Sequence, residues 1–281
     1  MRLVFALILV VYGTFSNASE RFITIASTTS TQNSGLYDYL LPVFTAETGV
    51  EVRVVAVGTG QAIKIAQNGD ADVLLVHHRP SEDAFVAMGY GIERRDVMYN
   101  DFIIVGPKAD PAGVSNQVKA IDGLAAIARH ATLFISRGDE SGTHKRESEL
   151  WAVAGISPNG DWFREIGAGM GAALNMASSV DAYTISDRGT WLSFNNKGTL
   201  DMLLAGDTAL FNPYGIILVN PQKHPHVKID MAREFSDWIV SDEAQKIIGA
   251  FTIQNMQLFC PNVQPQHNSD VVCPTSVPVQ E

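Results

Sequence analysis

Short runs of β-forming residues alternate with segments of helical spacing along the first third of the chain. Three such runs are residues 21–26, 50–57 and 71–76, and the first two are each followed by a loop rich in Gly, Ser or Thr. Between the first two, apolar residues recur with the spacing of one helix face and stop at Gly49. Pro42 inside this pattern predicts a kink or a late helix start. The alternation as a whole predicts a mainly parallel sheet covered by helices.

The same alternation repeats between residues 110 and 210. Its strands are predicted at residues 132–136 and 182–186, and its helices end near residues 155 and 177. A strand at 101–107 leaves the first unit, a strand at 214–219 returns to it, and a helix at 230–248 then packs on it. Two α/β lobes joined by two crossover strands leave a cleft between them with a hinge behind it.

The N-terminus has the pattern of an export signal. One positive charge at Arg2 precedes an apolar run, and Ser16-Asn17-Ala18 supplies the small-x-small pattern that signal peptidases accept. The run has about ten residues, whereas a bilayer core requires roughly 20. We therefore expect an exported protein cut near Ala18, with a buried first strand or helix as the alternative.

These features divide the chain into five predicted segments. They are a signal peptide at 1–18, the first part of lobe 1 at 19–105, lobe 2 at 106–212, the return into lobe 1 at 213–260 and a C-terminal tail at 261–281. Cys260 and Cys273 are the two cysteines of the chain. In an oxidising compartment an even count favours a disulfide over two free thiols, and a loop of about 14 residues closed in this way stabilises by roughly 3 kcal/mol.

Composition and charge exclude several classes of protein. The chain is 46% hydrophobic and 18% charged, so it can bury a core without metal ions. The formal net charge of −10 argues against a nucleic-acid partner and against an anionic membrane surface. It does not exclude a small anion, because exposed charges beyond about 8 Å are largely screened at physiological salt.

Three loops combine the residue types of an anion site, and each follows a predicted strand and opens a predicted helix. They contain Thr28-Thr29-Ser30 with Thr31, Gly58-Thr59-Gly60, and the segment from Arg137 to Thr143. In an open α/β sheet the ligand crevice lies at the carboxyl ends of the strands, where helix N-termini present unpaired N–H groups. Hydroxyls add further donors, and an arginine adds a permanent charge on a planar fork of donors.

Each loop also has an ordinary structural explanation. Ser and Thr clusters are common as helix N-caps, and the glycines around Thr59 suit a simple turn. Arg137 has two carboxylates nearby, Asp139 and Glu140, with which it could form a surface ion pair. The three loops together favour a site more than any one of them alone.

Five motifs in series resemble the TupA-type tungstate-binding proteins of ABC importers. They are Ala-Ser-Thr-Thr-Ser-Thr-Gln-Asn-Ser-Gly-Leu at 26–36, Val-Gly-Thr-Gly-Gln-Ala at 57–62, Ala-Asp-Val-Leu-Leu-Val-His at 71–77, Arg-Gly-Asp-Glu-Ser-Gly-Thr-His at 137–144, and Tyr-Thr-Ile-Ser-Asp-Arg-Gly-Thr-Trp at 183–191. The match spans residues 26 to 220 in the same order. Two departures are Ser27, where Thr is more common, and the cysteine-bearing tail, which lies outside the shared pattern.

The resemblance implies a type II periplasmic-binding-protein fold, with the ligand cleft between two lobes joined by two crossover strands. It also implies a periplasmic binding protein without a cofactor, which delivers tungstate, or alternatively molybdate, to the permease of an ABC importer. A monomer is the default expectation for a shuttle that must dock on a transporter. The oxyanion contacts that it implies come from Thr28, Thr29, Ser30, Thr59, Arg137 and Thr143.

Other functions have weaker support in the sequence. A hydrolase would need a Ser–His pair on a nucleophile elbow, and the loop before His144 lacks the first Gly of that motif. A metal site would need a third ligand beside His144 and Glu147, and the adjacent His77 and His78 would point to opposite faces of a strand. Phosphate and sulfate remain alternatives to tungstate. Phosphate still carries a proton at pH 7, and Asp139 or Glu140 could accept a hydrogen bond from it. We expect His77 and His78 to have loop or core roles, and His144 to orient the loop that holds Thr143.

Overall fold

The computed structural model describes residues 21–262. The predicted signal peptide and Cys273 lie outside the described residues, so the signal peptide and the Cys260–Cys273 disulfide stay predictions. Within residues 21–262, no helix is both long and apolar enough to span a bilayer.

Strands and helices alternate along most of the described chain. The strands are β1 (Phe22–Thr28), β2 (Glu51–Val57), β3 (Val73–Val76), β4 (Gly91–Pro107), β5 (Phe134–Ser136), β6 (Phe163–Glu165), β7 (Thr184–Asp187), β8 (Leu200–Leu204), β9 (Phe211–Val219), β10 (Thr252–Ile253), β11 (Met256–Gln257) and β12 (Cys260–Pro261). The helices are α1 (Thr29–Asn33), α2 (Leu36–Thr48), α3 (Thr59–Asn68), α4 (Arg79–Ala87), α5 (Ala120–His130), α6 (Gly142–Val153), α7 (Met170–Val180), α8 (Arg188–Ser193), α9 (Ile229–Ile239) and α10 (Asp242–Ala250).

The first sheet has the strand order β12-β4-β9-β3-β1-β2. β1 pairs in parallel with β2 and β3, as expected for strands joined by helices. β9 pairs antiparallel with both β3 and β4, because it returns from the second half of the chain. β12 also pairs antiparallel with β4, so the sheet is mixed and the prediction of a mainly parallel sheet is wrong beyond β1, β2 and β3.

β4 joins the two halves of the molecule. Its first part pairs with β9 up to the Asp101–Phe211 position, and its last part, from Phe102 onward, lies between β7 and β8. β5 and β6 continue this second sheet, with a bridge from Phe134 to Tyr183 beside β7.

β4 and β9 are the two crossover strands of the predicted fold class, two α/β lobes joined at their backs. The predicted boundaries at 105/106 and 212/213 fall inside these two continuous strands. The assignment of 19–105 and 213–260 to one lobe and 106–212 to the other stays a prediction.

Two helix predictions were wrong in their limits. The helix around Pro42 starts at Leu36 and continues to Thr48, so the late start is wrong; because Pro42 has no N–H, the carbonyl of Asp38 loses its helical bond. The single helix expected at 230–248 is two helices, α9 and α10. The break occurs at Ser241, whose Oγ accepts a hydrogen bond from the N–H of Ala244 and caps α10.

Apolar residues of both sheets and their helices form the core. One cluster joins the first sheet to α2, α9 and α10 through Phe44, Phe235 and Trp238, whose rings pack within 6.2 Å of one another. A second cluster fills the other half around Phe134 and Trp151. At the end of the described chain, Cys260 is buried and pairs with Tyr99 of β4, so the predicted tail begins as an added edge strand.

A buried ion pair fixes α8 against β4. The Nε and Nη2 atoms of Arg188 lie 2.6 and 2.5 Å from the two carboxylate oxygens of Asp101, and both residues are buried. Burial raises the pKa of Asp101, and the guanidinium of Arg188 opposes this rise. The pair therefore ties the helix that follows β7 to the point where β4 changes partners.

Replacing Arg188 with Ala should lower the free energy of unfolding by about 3–5 kcal/mol, because it leaves a buried carboxylate unpaired. Urea denaturation measures the change. The control is Arg79→Ala, which removes an exposed i,i+4 pair with Asp83 and should cost under about 1 kcal/mol. If both variants lost the same free energy of unfolding, the buried pair would contribute no more to stability than an exposed one.

Candidate functional site

The first predicted loop forms a connected set of hydroxyl groups at the end of β1. Thr28 is buried, and its Oγ1 lies 2.7 Å from the Oγ1 of Thr31 and 3.2 Å from the Oγ of Ser30. Thr29 is exposed, and its Oγ1 is 3.5 Å from the carbonyl of Val57. The helical turn that starts at Thr29 thus directs this side chain away from the other three hydroxyls.

His77, at the carboxyl end of β3, joins this loop to the crossover strands. Its Nδ1 lies 2.9 Å from the Oδ1 of Asn212, and its Nε2 lies 3.4 Å from the Oγ of Ser30. The Nδ2 of Asn212 in turn donates to the Oδ1 of Asn100 at 2.6 Å. With the amide oriented in this way, Nδ1 of His77 carries the hydrogen and Nε2 accepts one from Ser30.

The charge state of His77 follows from its burial. Burial lowers the pKa of His77 to about 4, although the carboxylate of Asp187 and the bond to Asn212 oppose this shift. The side chain is therefore a neutral imidazole at pH 7. It provides an acceptor to Ser30 and no positive charge.

The second loop brings Thr59 against the third loop. Thr59 is buried, and its Oγ1 has no hydrogen-bond partner. A Cβ added at Gly142 would lie 3.1 Å from this oxygen and 2.7 Å from Cε1 of His77. The backbone at the start of α6 thus packs directly on Thr59 of α3 and on His77, which follows β3.

The third loop buries its arginine. The side chain of Arg137 lies beneath the start of α6, with Nη1 3.3 Å from the Oγ1 of Thr143 and Nη2 2.6 Å from the Oδ2 of Asp139. Its Nε is buried without a partner. The expected pairing with a carboxylate therefore exists, but with Asp139 and inside the protein rather than on its surface. Although burial raises the pKa of Asp139, bonds from Ser141 and the charge of Arg137 lower it below the usual value.

His144 holds this loop in place, as predicted. Its Nδ1 accepts a hydrogen bond from the N–H of Glu140 at 3.1 Å, and its own N–H donates to the Oγ of Ser141, the N-cap of α6. Behind the loop, burial raises the pKa of Glu147 to about 8. The acid form of Glu147 therefore predominates at pH 7, which leaves Asp139 as the carboxylate paired with Arg137.

The structure brings five of the six predicted site residues into one continuous arrangement. Ser30 contacts both Thr28 and His77. His77 and Thr59 in turn lie against Gly142. Thr143, which follows Gly142, contacts Arg137. Thr29 is the exception. His77 and Asn212 were missed, although His77 follows a strand end, which is the rule that selected the other loops.

Two further features lie outside this arrangement. A cavity of about 330 Å³ is lined by Tyr99, Asp101, Arg188, Phe211 and Cys260, among others, and by none of the predicted site residues. Across residues 21–262, no three His, Cys, Asp or Glu side chains are grouped so that they could hold a metal ion.

Comparison with known proteins identifies the family. The model of the PBP superfamily domain matches residues 14–243. A tungstate-binding protein TupA of Peptoclostridium acidaminophilum is 50% identical over 244 residues, which cover 85% of this chain and 85% of that protein. The chain belongs to the TupA family.

Solved structures agree with this assignment. The TupA tungstate-binding protein from Desulfovibrio alaskensis G20 superposes with a TM-score of 0.77 at 44% identity, covering 87% of this chain and all of that one. A tungstate ABC transporter structure from Geobacter sulfurreducens gives a TM-score of 0.76 at 50% identity, covering 83% of this chain and 99% of that one. The fold of this TupA family member is thus the periplasmic-binding-protein fold.

The close approach at Gly142 is testable through stability. Gly142→Ala should lower the free energy of unfolding by about 1–3 kcal/mol, because the new methyl group overlaps His77. Gly171→Ala, also in the first turn of a helix, meets no atom within 4 Å and should be neutral or stabilise by up to about 1 kcal/mol. Urea denaturation of both variants checks the difference, and a neutral Gly142→Ala would mean that α6 does not pack on His77.

Proposed function

We propose that this TupA family member binds a tetrahedral oxyanion, most strongly tungstate, between its two lobes. One observation carries the proposal: the guanidinium of Arg137 is buried beside Thr143 with its Nε unpartnered, and the buried Oγ1 of Thr59 is unpartnered as well. Unpaired buried donors cost free energy unless a ligand satisfies them. A fully deprotonated oxyanion offers only acceptors, so it suits such a set.

The proposed contacts come from both halves of the chain. Thr28 at the end of β1, Ser30 in α1 and Thr59 at the start of α3 supply hydroxyl or backbone donors from one half. Arg137, which follows β5, and Thr143 at the start of α6 supply them from the other half. Thr29 contributes through its backbone, since its side chain is exposed. A hinge in the crossover strands would let the lobes close on the ion and exclude water.

We propose tungstate rather than another oxyanion as the ligand, because the relatives named above are tungstate-binding proteins. Molybdate has the same charge and shape and is the alternative ligand. Hydrogenphosphate would need an acceptor for its proton, and Asp139 would have to accept it while it also bonds to Arg137 and to the N–H of Ser141.

The same proposal covers the cellular role. The chain would be exported, with its signal peptide cut near Ala18, and would act in the periplasm as a monomer that delivers the ion to the permease of an ABC importer. A Cys260–Cys273 disulfide would hold the tail on the edge strand β12. No cofactor is required.

We also propose that the protein is not an enzyme. Ser141, the serine closest in sequence to His144, accepts a hydrogen bond from the backbone N–H of His144, and the imidazole accepts one from the N–H of Glu140. The hydroxyl of the adjacent Thr143 lies 3.3 Å from Nη1 of Arg137. His144 is therefore a loop-supporting residue and not the base of a nucleophile.

Thermal unfolding of the mature protein with four oxyanions tests the function. Binding to the native state stabilises by RT ln(1 + [L]/Kd), about 2.7 kcal/mol at a hundredfold excess over Kd. Tungstate should raise the melting temperature most, molybdate less, and sulfate and phosphate not at all. A shift with phosphate alone would change the proposed ligand, and no shift with any ion would overturn the proposed function.

Replacing Arg137 with Ala should weaken tungstate binding by well over tenfold, because the bound dianion loses its counter-charge while Asp139 remains. Isothermal titration calorimetry measures the dissociation constant. Arg164→Ala, which removes an exposed arginine of the same lobe, is the control and should bind like the wild type. A loss below tenfold (1.4 kcal/mol) in Arg137→Ala would show that the site is elsewhere.

A further inference from the structure

The positive charge at the proposed site is already paired within the protein. Asp139 Oδ2 lies 2.6 Å from Arg137 Nη2, and Asp139 Oδ1 accepts a hydrogen bond from the N–H of Ser141 at 3.3 Å. The carboxylate is thus held on both sides by its own loop. Any oxyanion that binds Arg137 must do so beside a fixed negative charge.

The geometry of the guanidinium makes this neighbour significant. A guanidinium presents two edges that bind two oxygens at once, Nε with Nη2 and Nη1 with Nη2. Both edges include Nη2, which is the nitrogen that Asp139 occupies. Nη1 contacts Thr143, whereas Nε has no partner. Nη2 has two hydrogens, one on each edge, and Asp139 accepts one of them. A bidentate oxyanion on Arg137 would therefore bind the same nitrogen as Asp139 and lie close to its carboxylate.

The surrounding groups do not offset the charge of Asp139. His77 is neutral at pH 7 because burial lowers its pKa to about 4, and Glu147 is mainly protonated because burial raises its pKa to about 8. Arg137 and Asp139 together have no net charge. A dianion that binds Arg137 is attracted by the guanidinium and repelled by the carboxylate of Asp139, so the repulsion offsets part of the attraction.

We propose that Asp139 is an internal counter-ion of Arg137 that weakens oxyanion binding and so sets the affinity of the site. This inference rests on the proposed function. Asp139 neutralises the buried arginine when no oxyanion is bound, and it keeps the bound dianion from being held so tightly that transfer to an importer becomes slow. Its effect is opposite in sign to that of a residue that only orients Arg137.

Asp139→Asn tests whether Asp139 weakens or strengthens oxyanion binding, because Asn keeps the shape and one acceptor oxygen while it removes the charge. The variant should bind tungstate at least about tenfold more tightly than the wild type, as measured by isothermal titration calorimetry at fixed ionic strength. Glu140→Gln removes the same unit of charge from the next residue, whose side chain is exposed. Screening by salt should keep its effect below about threefold.

A second substitution covers the case in which Asn disturbs the loop. Asp139→Ser retains an oxygen that can accept the N–H of Ser141 and also removes the charge, so it should shift the affinity in the same direction. Circular dichroism and the melting temperature without ligand show whether each variant is folded.

The outcomes separate the two proposals. If the wild type binds tungstate but folded Asp139→Asn and Asp139→Ser bind it equally or more weakly, Asp139 is only an orienting residue and this inference is wrong. If Glu140→Gln tightens binding as much as Asp139→Asn, the effect is one of net charge and the inference is also wrong. If the wild type does not bind tungstate at all, the proposed function fails first and the inference fails with it.

Discussion

The antiparallel pairing of β4 with β9 is the contact on which both halves of the molecule depend. These strands carry the chain out of the first sheet and back into it, and they meet side by side at Asn100 and Asn212. The same two side chains bond to each other and, through His77, to Ser30. These bonds fix the hydroxyl loop relative to β4 and β9, the strands about which the two halves would move.

Burial without full pairing is the second constraint. The proposed site contains a buried guanidinium, several hydroxyls and a buried imidazole, and each has a limited number of hydrogens to donate. Ser30 has one hydrogen and Thr28 has one, and both can be used within the protein. In the proposed site, the affinity for an ion without hydrogens would then depend on which of these donors turns toward it, and on how far the charge of Asp139 offsets that of Arg137.

Much of the site was predictable because its residues obey local rules. Thr28, Thr59 and Arg137 each follow an apolar run and precede a helical pattern, and parallel strands align their carboxyl ends. Thr29 could not be placed, because its direction depends on the turn that begins there. Asn212 could not be found, because it comes from a strand some 135 positions after its partner His77. The mixed sheet was missed for the same reason: the direction of β9 is set by the long excursion before it and not by its own residues.

The insertion of one half within the other also has a consequence for how the chain folds. Residues from 108 to 204 form their sheet contacts largely with one another and with the adjoining end of β4, so they can condense from a contiguous stretch. The first sheet is different, because one edge of β3 pairs with β9, about 145 positions later in the chain. That edge stays unpaired until β9 has been placed. Loop-closure entropy grows only slowly with length, but nearly all of the second half lies within that loop. Ordering the inserted half shortens the effective loop, so early folding there lowers the entropic cost of completing the first sheet.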